Sequence, residues 1–348
     1  MISHRLQYID IAKGICILLV VTGHILQFNC CGYGSSTAFN FIYSFHMPVF
    51  MLLSGYVAAL SQRRIDLGVA IDFIKKKFYS LVVPFFLWGL FISPFIIKQQ
   101  GIESIISTTK DLILNPSVGA WFIIVLFFIQ LYFLLFRLLS ERLDKYGKFL
   151  GDVIAFFIVM GMLVISTKLV DNCNESIWGG IKQYLSIRYF VCFILGYYYQ
   201  KFGQSIVFNK WIFLISILVF SLLVKDFVFN KSPLYLQMAI SICASVVIIN
   251  VSKQIETTSC LNCKNSYEWL KRIGQSSLVI YLTHFAIITV IPSAVLNTNC
   301  IKAIPLFLLC FTISIPISML CVKWGDLIKE YPIIDFVMYG HSKKQNNK

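Results

Sequence analysis

The sequence predicts an all-α fold, a polytopic integral membrane helical bundle, and three observations carry that prediction. Of 348 residues, 58% are hydrophobic and only 13% are charged, about half the charged share of a soluble domain. Apolar runs near the length an α-helix needs to cross a hydrocarbon core of about 30 Å recur from end to end. Lysines and arginines gather in alternate connecting segments rather than spreading evenly. The net charge of +14 therefore reads as a topology signal, and no nucleic-acid partner is expected.

Taken in order, ten spans are expected at about 9–28, 39–60, 78–97, 119–139, 150–169, 187–203, 209–227, 233–251, 277–295 and 303–323. With the N-terminus inside, the inner segments hold 21 Lys and Arg and the outer segments eight, so both termini are expected in the cytoplasm. The first span is not a cleavable signal, because Lys13 interrupts its apolar run and no small-x-small site follows. Connecting segments are short, the longest being about 25 residues at 252–276. Residues 1–348 thus form one membrane domain whose chemistry belongs to the bundle itself. No internal repeat or pair of broken helices stands out, and no carboxylate stripe runs through several spans, which weakens a carrier reading.

The chemistry concentrates between Tyr8 and Tyr56. The first span carries Asp10, Lys13 and His24. An ionisable group within a span is costly, so function is its default reading. At 100° per residue, Lys13 and His24 lie about 20° apart on one face and about 16 Å apart along the axis, with Asp10 about 40° to the other side. The plainer alternative makes Asp10 and Lys13 interfacial anchors and His24 a satisfied core residue. An unperturbed histidine titrates near neutral pH, which suits His24 to general-base work, while Asp10 can offset the charge of Lys13. His46, a third of the way into the second span, either orients the base or acceptor or belongs to a packing and kink element with Pro48. His284 reads as a structural hydrogen-bonding residue. Ser54 with Gly55 reads as a close helix contact more than as a nucleophile. Tyr56 and Trp121 read as packing aromatics. Cys260-x-x-Cys263 is a lone pair without metal-site spacing, and no metal is expected. Cys30, Cys31, Cys173 and Cys300 fall on the outer side, with no pairing legible.

The pattern D-I-A-K-G-I-x-I-L-L-V-V-x-G-H, followed by F-H-M-P-x-F-x-x-x-S-G-Y, resembles the membrane acyltransferase 3 family, in particular the branch of fucose 4-O-acetylases and related glycan O-acetyltransferases. Lys13 and His24 match its basic-x10-His motif, His46–Pro48 its F-H-M-P, and Ser54–Tyr56 its S-G-Y. Trp121 and Phe122 resemble its fourth-span pattern, and Ser277–His284 its late S-L-x-I-Y-L-x-H. The resemblance implies transfer of an acetyl group from cytoplasmic acetyl-CoA, a co-substrate, to a hydroxyl of an extracytoplasmic or lipid-linked glycan. It also implies a multi-pass protein of a bacterial cell (inner) membrane. His24 is then the catalytic base, with Asp10 and His46 as its companions. Lys13, Lys76 and Lys77 are the candidates for holding the donor, Lys76 and Lys77 at its phosphates. The family's basic-x-x-Arg pair falls on Lys77 and Ser80, so its second basic residue is missing. The alternatives are another acyl group or a small-molecule acceptor, and, from a different class, a transporter or glycan flippase with His24 and Lys13 lining the pathway.

The charge bias makes a direct prediction. Single cysteines placed in 98–118 and 168–186 should react with a membrane-impermeant maleimide on intact cells, and those in 61–76 and 252–276 should not. The reverse pattern would invert the topology.

Overall fold

The structure is a computed structural model and describes residues 6–60, 65–90, 109, 112–114, 120–172, 182–262, 267–291, 296–297 and 302–341. In chain order its helices are α1 (Gln7–Asn29), α2 (Thr37–Tyr43), α3 (His46–Ala59), α4 (Leu67–Lys77), α5 (Val83–Leu87), α6 (Trp121–Leu143), α7 (Lys148–Asp171) and α8 (Ile187–Lys201). There follow α9 (Gln204–Val207), α10 (Lys210–Leu223), α11 (Leu234–Asn262), α12 (Glu268–Gln275), α13 (Ser277–Ile288), α14 (Ala303–Ile328) and α15 (Pro332–Tyr339). Among the described residues the strands are β1 (Cys30–Cys31) and β2 (Leu296–Asn297), which pair in parallel with Cys30 opposite Leu296. Backbone contacts group the chain into two compact units, Met1–Ser61 with Cys192–Asp326 and Gln62–Val191 with Leu327–Lys348.

The helical membrane bundle stands. Among the described residues six helices are long and apolar enough to cross a membrane: Gln7–Asn29, Thr37–Ala59, Trp121–Tyr146, Lys148–Asp171, Leu234–Thr258 and Ala303–Ile328. The segments expected at about 187–203, 209–227 and 277–295 hold shorter helices of 15, 14 and 12 residues. The segment expected at about 78–97 opens with a π-helical turn at Phe78–Val82 and continues into α5; residues 91–97 lie outside the described residues.

In the first unit α1 is the innermost helix. It is apolar nearly all round, as a helix surrounded by protein should be, and 83% of its most hydropathic window is buried. The α12–α13 segment lies along it in the same direction. Tyr267 donates its hydroxyl to Gln7 Oε1 (2.9 Å) and Gln275 donates from Nε2 to Asp10 Oδ2 (3.0 Å). At the other end the Asn29 carboxamide donates to the carbonyls of Ile291 (2.9 Å) and Ile288 (3.3 Å). Close approach of the backbones depends on two glycines. A Cβ on Gly14 would stand 2.3 Å from the Leu270 carbonyl oxygen, and one on Gly274 would stand 1.7 Å from that of Asp10.

The same device joins α3 to α8. A Cβ on Gly55 would lie 1.8 Å from the Phe193 carbonyl oxygen, and one on Gly196 the same distance from that of Leu52. Small residues facing one another let helix backbones approach where lipid removes the ordinary hydrophobic drive. Buried polar side chains of α1 and α11 turn back onto their own backbones, as a dry environment requires: Thr22 donates to Leu18 O, Ser241 to Gln237 O and Asn250 to Val246 O.

In the second unit α6 and α7 form an antiparallel hairpin that turns at Gly147, whose φ of +104° suits glycine. Ser140 on α6 donates to the buried carboxylate of Asp152 on α7. Only 17% of the α7 window is buried, and Phe157, Met162, Ile165 and Leu169 are exposed, as suits a lipid-facing helix. Trp88 Nε1 donates to Met338 O (3.0 Å), fixing α15 beside α5.

Gly274→Val should therefore force α12 away from α1 and cost at least the ~1–3 kcal/mol typical of overpacking. Gly161→Ala on α7, where an added Cβ meets nothing within 4 Å, should be neutral or stabilising by about 0.5–1 kcal/mol. Thermal unfolding in detergent checks both.

Candidate active site

His24 sits five residues from the end of α1, half-buried, and His284 on α13 is fully buried beside it. Their rings are nearly parallel, with centroids 4.9 Å apart and planes 7° apart. His24 Nδ1 lies 2.7 Å from His284 Nε2, and His284 Nδ1 lies 2.7 Å from the carbonyl oxygen of Ile280, one turn back on α13. A carbonyl only accepts, so His284 Nδ1 carries the proton. In neutral His284 the other nitrogen, Nε2, then accepts. His24 must accordingly donate from Nδ1, and its own Nε2 is left with a lone pair. The tautomers are inferred from the acceptor-only carbonyl. One backbone oxygen thus orients two imidazoles and points a base nitrogen away from the pair.

Aromatic and polar groups surround that base. Phe285 stands 4.6 Å from the His24 ring and Phe28 6.1 Å. Tyr43 donates its hydroxyl to Gln27 Oε1 (2.8 Å) and lies edge-on to His46 at 4.8 Å. Its ring is the neighbour that a Cβ on Gly23 would meet at 3.1 Å. His46, buried at the start of α3, places Nδ1 2.7 Å from Ile42 O. By the same reasoning its Nδ1 is protonated and its Nε2 accepts. His46 is within electrostatic reach of His24.

The remaining residues singled out from sequence fall elsewhere. Asp10 is buried at the opposite end of α1, about 21 Å from His24 along the axis, with Gln275 as a hydrogen-bond partner. Lys13 is half-buried on the same continuous helix as His24, so their separation of about 16 Å along the axis holds. Lys76 and Lys77 close the last turn of α4 in the second unit, and the Lys77 ammonium lies 5.5 Å from the Phe73 ring centre. Ser54 Oγ donates to Phe50 O (2.9 Å) and is engaged within its own helix. Tyr56 is buried, its hydroxyl 2.7 Å from that of Tyr8, and Trp121 stacks on Tyr189 at 5.9 Å. Cys173, Cys263 and Cys300 lie outside the described residues, while Cys30 is buried and Cys31 exposed.

Sequence reasoning treated His284 as structural and did not find its direct bond to His24. The parallel run of α13 beside α1 makes that bond. Its only trace in the sequence is the late Ser277–His284 motif, which places an imidazole one turn after Ile280.

An apolar helical bundle whose innermost helix bears an oriented, half-accessible imidazole base has the anatomy of a membrane-embedded catalyst. Residues 6–323 match the acyltransferase 3 family, described as an acyltransferase domain, and the chain belongs to that family. Nodulation protein NolL of Sinorhizobium fredii (strain NBRC 101917 / NGR234) is 39% identical over 83 residues, which cover 23% of this chain and 22% of that protein. Nodulation protein NolL of Mesorhizobium japonicum (strain LMG 29417 / CECT 9101 / MAFF 303099) is 33% identical over 140 residues, 38% of this chain and 35% of that protein. The matched regions thus span about a fifth and about a third of these curated relatives. No solved structure matches the chain.

The tautomer assignment can be read directly. In ¹⁵N-histidine-labelled protein in bilayers, neutral His24 and His284 should both be protonated at Nδ1. His284→Leu should return His24 toward the Nε2–H tautomer that free histidine prefers. Protonation of wild-type His24 at Nε2 would overturn the assignment.

Proposed function

We propose that the protein is an O-acyltransferase in which His24 is the general base, moving an acetyl group from cytoplasmic acetyl-CoA to a hydroxyl of an extracytoplasmic or lipid-linked glycan. The observation that carries this reading is the free Nε2 of His24, held by the His24–His284–Ile280 chain of hydrogen bonds in a member of the acyltransferase 3 family. In the reaction, His24 Nε2 takes the proton of the acceptor hydroxyl as its oxygen attacks the thioester carbonyl. The imidazolium so formed keeps its Nδ1–H bond to the lone pair of His284, which spreads the new charge without a second ionised group. The carbon–sulfur bond then breaks, and the proton on Nε2 passes to the departing thiolate. Such a base typically contributes ~10²–10⁴-fold to rate.

The proposal includes ten spans with both termini in the cytoplasm, in a bacterial inner membrane. The donor then enters from the side of Lys13, whose ammonium lies on the face of α1 that leads to His24. Lys76 and Lys77 are proposed for its phosphates, Asp10 for balancing the charge of Lys13, and His46 for the acceptor side of the base.

In purified protein supplied with labelled acetyl-CoA and a glycan acceptor, His24→Ala and His24→Gln should lose ~10²–10⁴-fold in product formed per folded molecule. Lys13→Ala should lose most activity and Lys13→Arg retain part of it, because the charge persists. Ser54→Ala should keep full activity. Retention of more than about a tenth of wild-type turnover by His24→Ala would reject the base assignment. Movement of unmodified glycan across sealed vesicles without any thioester would favour a carrier instead.

A further inference from the structure

Beside His24 the outer turn of α1 and the end of α13 form a corner that the base chemistry does not use. Phe28 is 45% exposed although it adjoins the most buried stretch of the chain. Its ring meets Phe285 edge to face, with centroids 5.4 Å apart and planes 80° apart. Phe285 in turn tilts by 34° against the His24 ring at 4.6 Å. Two aromatic walls therefore run from the imidazole to the surface.

Gln27, next to Phe28, supplies the polar side of the corner. Its Oε1 accepts the Tyr43 hydroxyl, which assigns the carboxamide and leaves its Nε2 hydrogens for another acceptor. Those hydrogens have no hydrogen-bond acceptor among the described residues, and Gln27 is half-buried. Such a donor pair favours an oxygen acceptor, from water or a polar ligand, over hydrocarbon, so the corner is not lipid-facing surface. What fits it is a ring with a C–H face for the aromatic walls and oxygen acceptors on its edge for Gln27. An aromatic face is electron-rich and attracts such weakly positive C–H groups. An acyl chain offers no acceptor, and a small alcohol offers no face.

We infer that Phe28, Phe285 and Gln27 form the subsite that binds the sugar ring of the acceptor and presents one hydroxyl to His24 Nε2. This rests on the proposed acyltransferase reading, and its test is built to fail separately. Methyl glucoside, methyl rhamnoside and methyl fucoside serve as acceptor probes, with cyclohexanol as a ring that has one hydroxyl and no ring oxygen.

With labelled acetyl-CoA, Phe28→Leu should raise the acceptor KM about tenfold, the scale of one aromatic contact, and leave the donor KM unchanged. Phe28→Tyr should restore it. Gln27→Leu should narrow the preference for the glycosides over cyclohexanol. An unchanged acceptor KM in Phe28→Leu, or a raised donor KM in its place, overturns the subsite while leaving the His24 reading intact. Saturation-transfer NMR of the methyl glycosides with protein in nanodiscs reads binding without turnover. Ring C–H saturation present in wild type and in His24→Ala but lost in Phe28→Leu supports the subsite even if no acyl transfer is found. Absence of ring saturation in wild type overturns it.

Discussion

The parallel register between α1 and the α12–α13 segment is the constraint on which the site depends. Four sets of side-chain bonds fix it: Tyr267 to Gln7, Gln275 to Asp10, His284 to His24, and Asn29 to Ile288 and Ile291. They succeed one another along both segments in the same order, so a slip of one turn, about 5.4 Å, would break all of them at once. The histidine pair is only one rung of this ladder. Its 2.7 Å contact is held from both sides by rungs that do no chemistry, which is how a base can be kept oriented without depending on its own hydrogen bond for position.

The membrane setting explains why the ladder is built from glycines and amides. Between lipid-embedded helices apolar contact gives little net drive, so close backbone packing and satisfied polar groups do the work of association. Gly14 and Gly274 bring α12 onto α1, and Gly55 and Gly196 bring α8 onto α3. Asp10 belongs to this scheme in the structure. Its buried carboxylate accepts from Gln275 at the end of α12, so removing it would loosen the lower rung before it touched any charge near His24.

Much of this was legible in the sequence, and the missing part has a physical cause. Apolar runs of spanning length gave the bundle, and the spacing of Lys13 and His24 on one uninterrupted helix gave their common face, because helix geometry is local. The partner of His24 was not legible. Residues 24 and 284 meet only through packing of two segments 260 residues apart, and no periodicity within α13 marks which of its faces meets α1. Ser54 with Gly55 reads from the sequence as a close helix contact; in the structure Gly55 meets the Phe193 backbone of α8, and Ser54 Oγ donates to Phe50 O within its own helix. Gln27 and Phe28 escaped notice because one polar and one aromatic residue at the end of a span read as an ordinary interface pair.

In the proposed reaction, a histidine as the partner of a histidine base suits a dry setting. A carboxylate behind His24 would stabilise the imidazolium more strongly, but holding an Asp charge within a membrane helix is costly, up to about 2.5–3.5 kcal/mol at the helix centre even on the lenient insertion scale. The chain from Ile280 O through His284 to His24 carries no net charge at rest. It fixes the tautomer as a carboxylate would, yet pays nothing for a permanent ion in the resting state. In the proposed reaction the cost is deferred to the moment of proton transfer, when the new charges are the imidazolium and the oxyanion that forms on the thioester carbonyl oxygen as the acceptor oxygen attacks. Both belong to the same small cluster of reacting atoms, where low dielectric strengthens their attraction. A neutral relay in a dry bundle thus confines charge separation to the reacting atoms, and the buried Asp10, at the far end of α1, is left to hold the helices together.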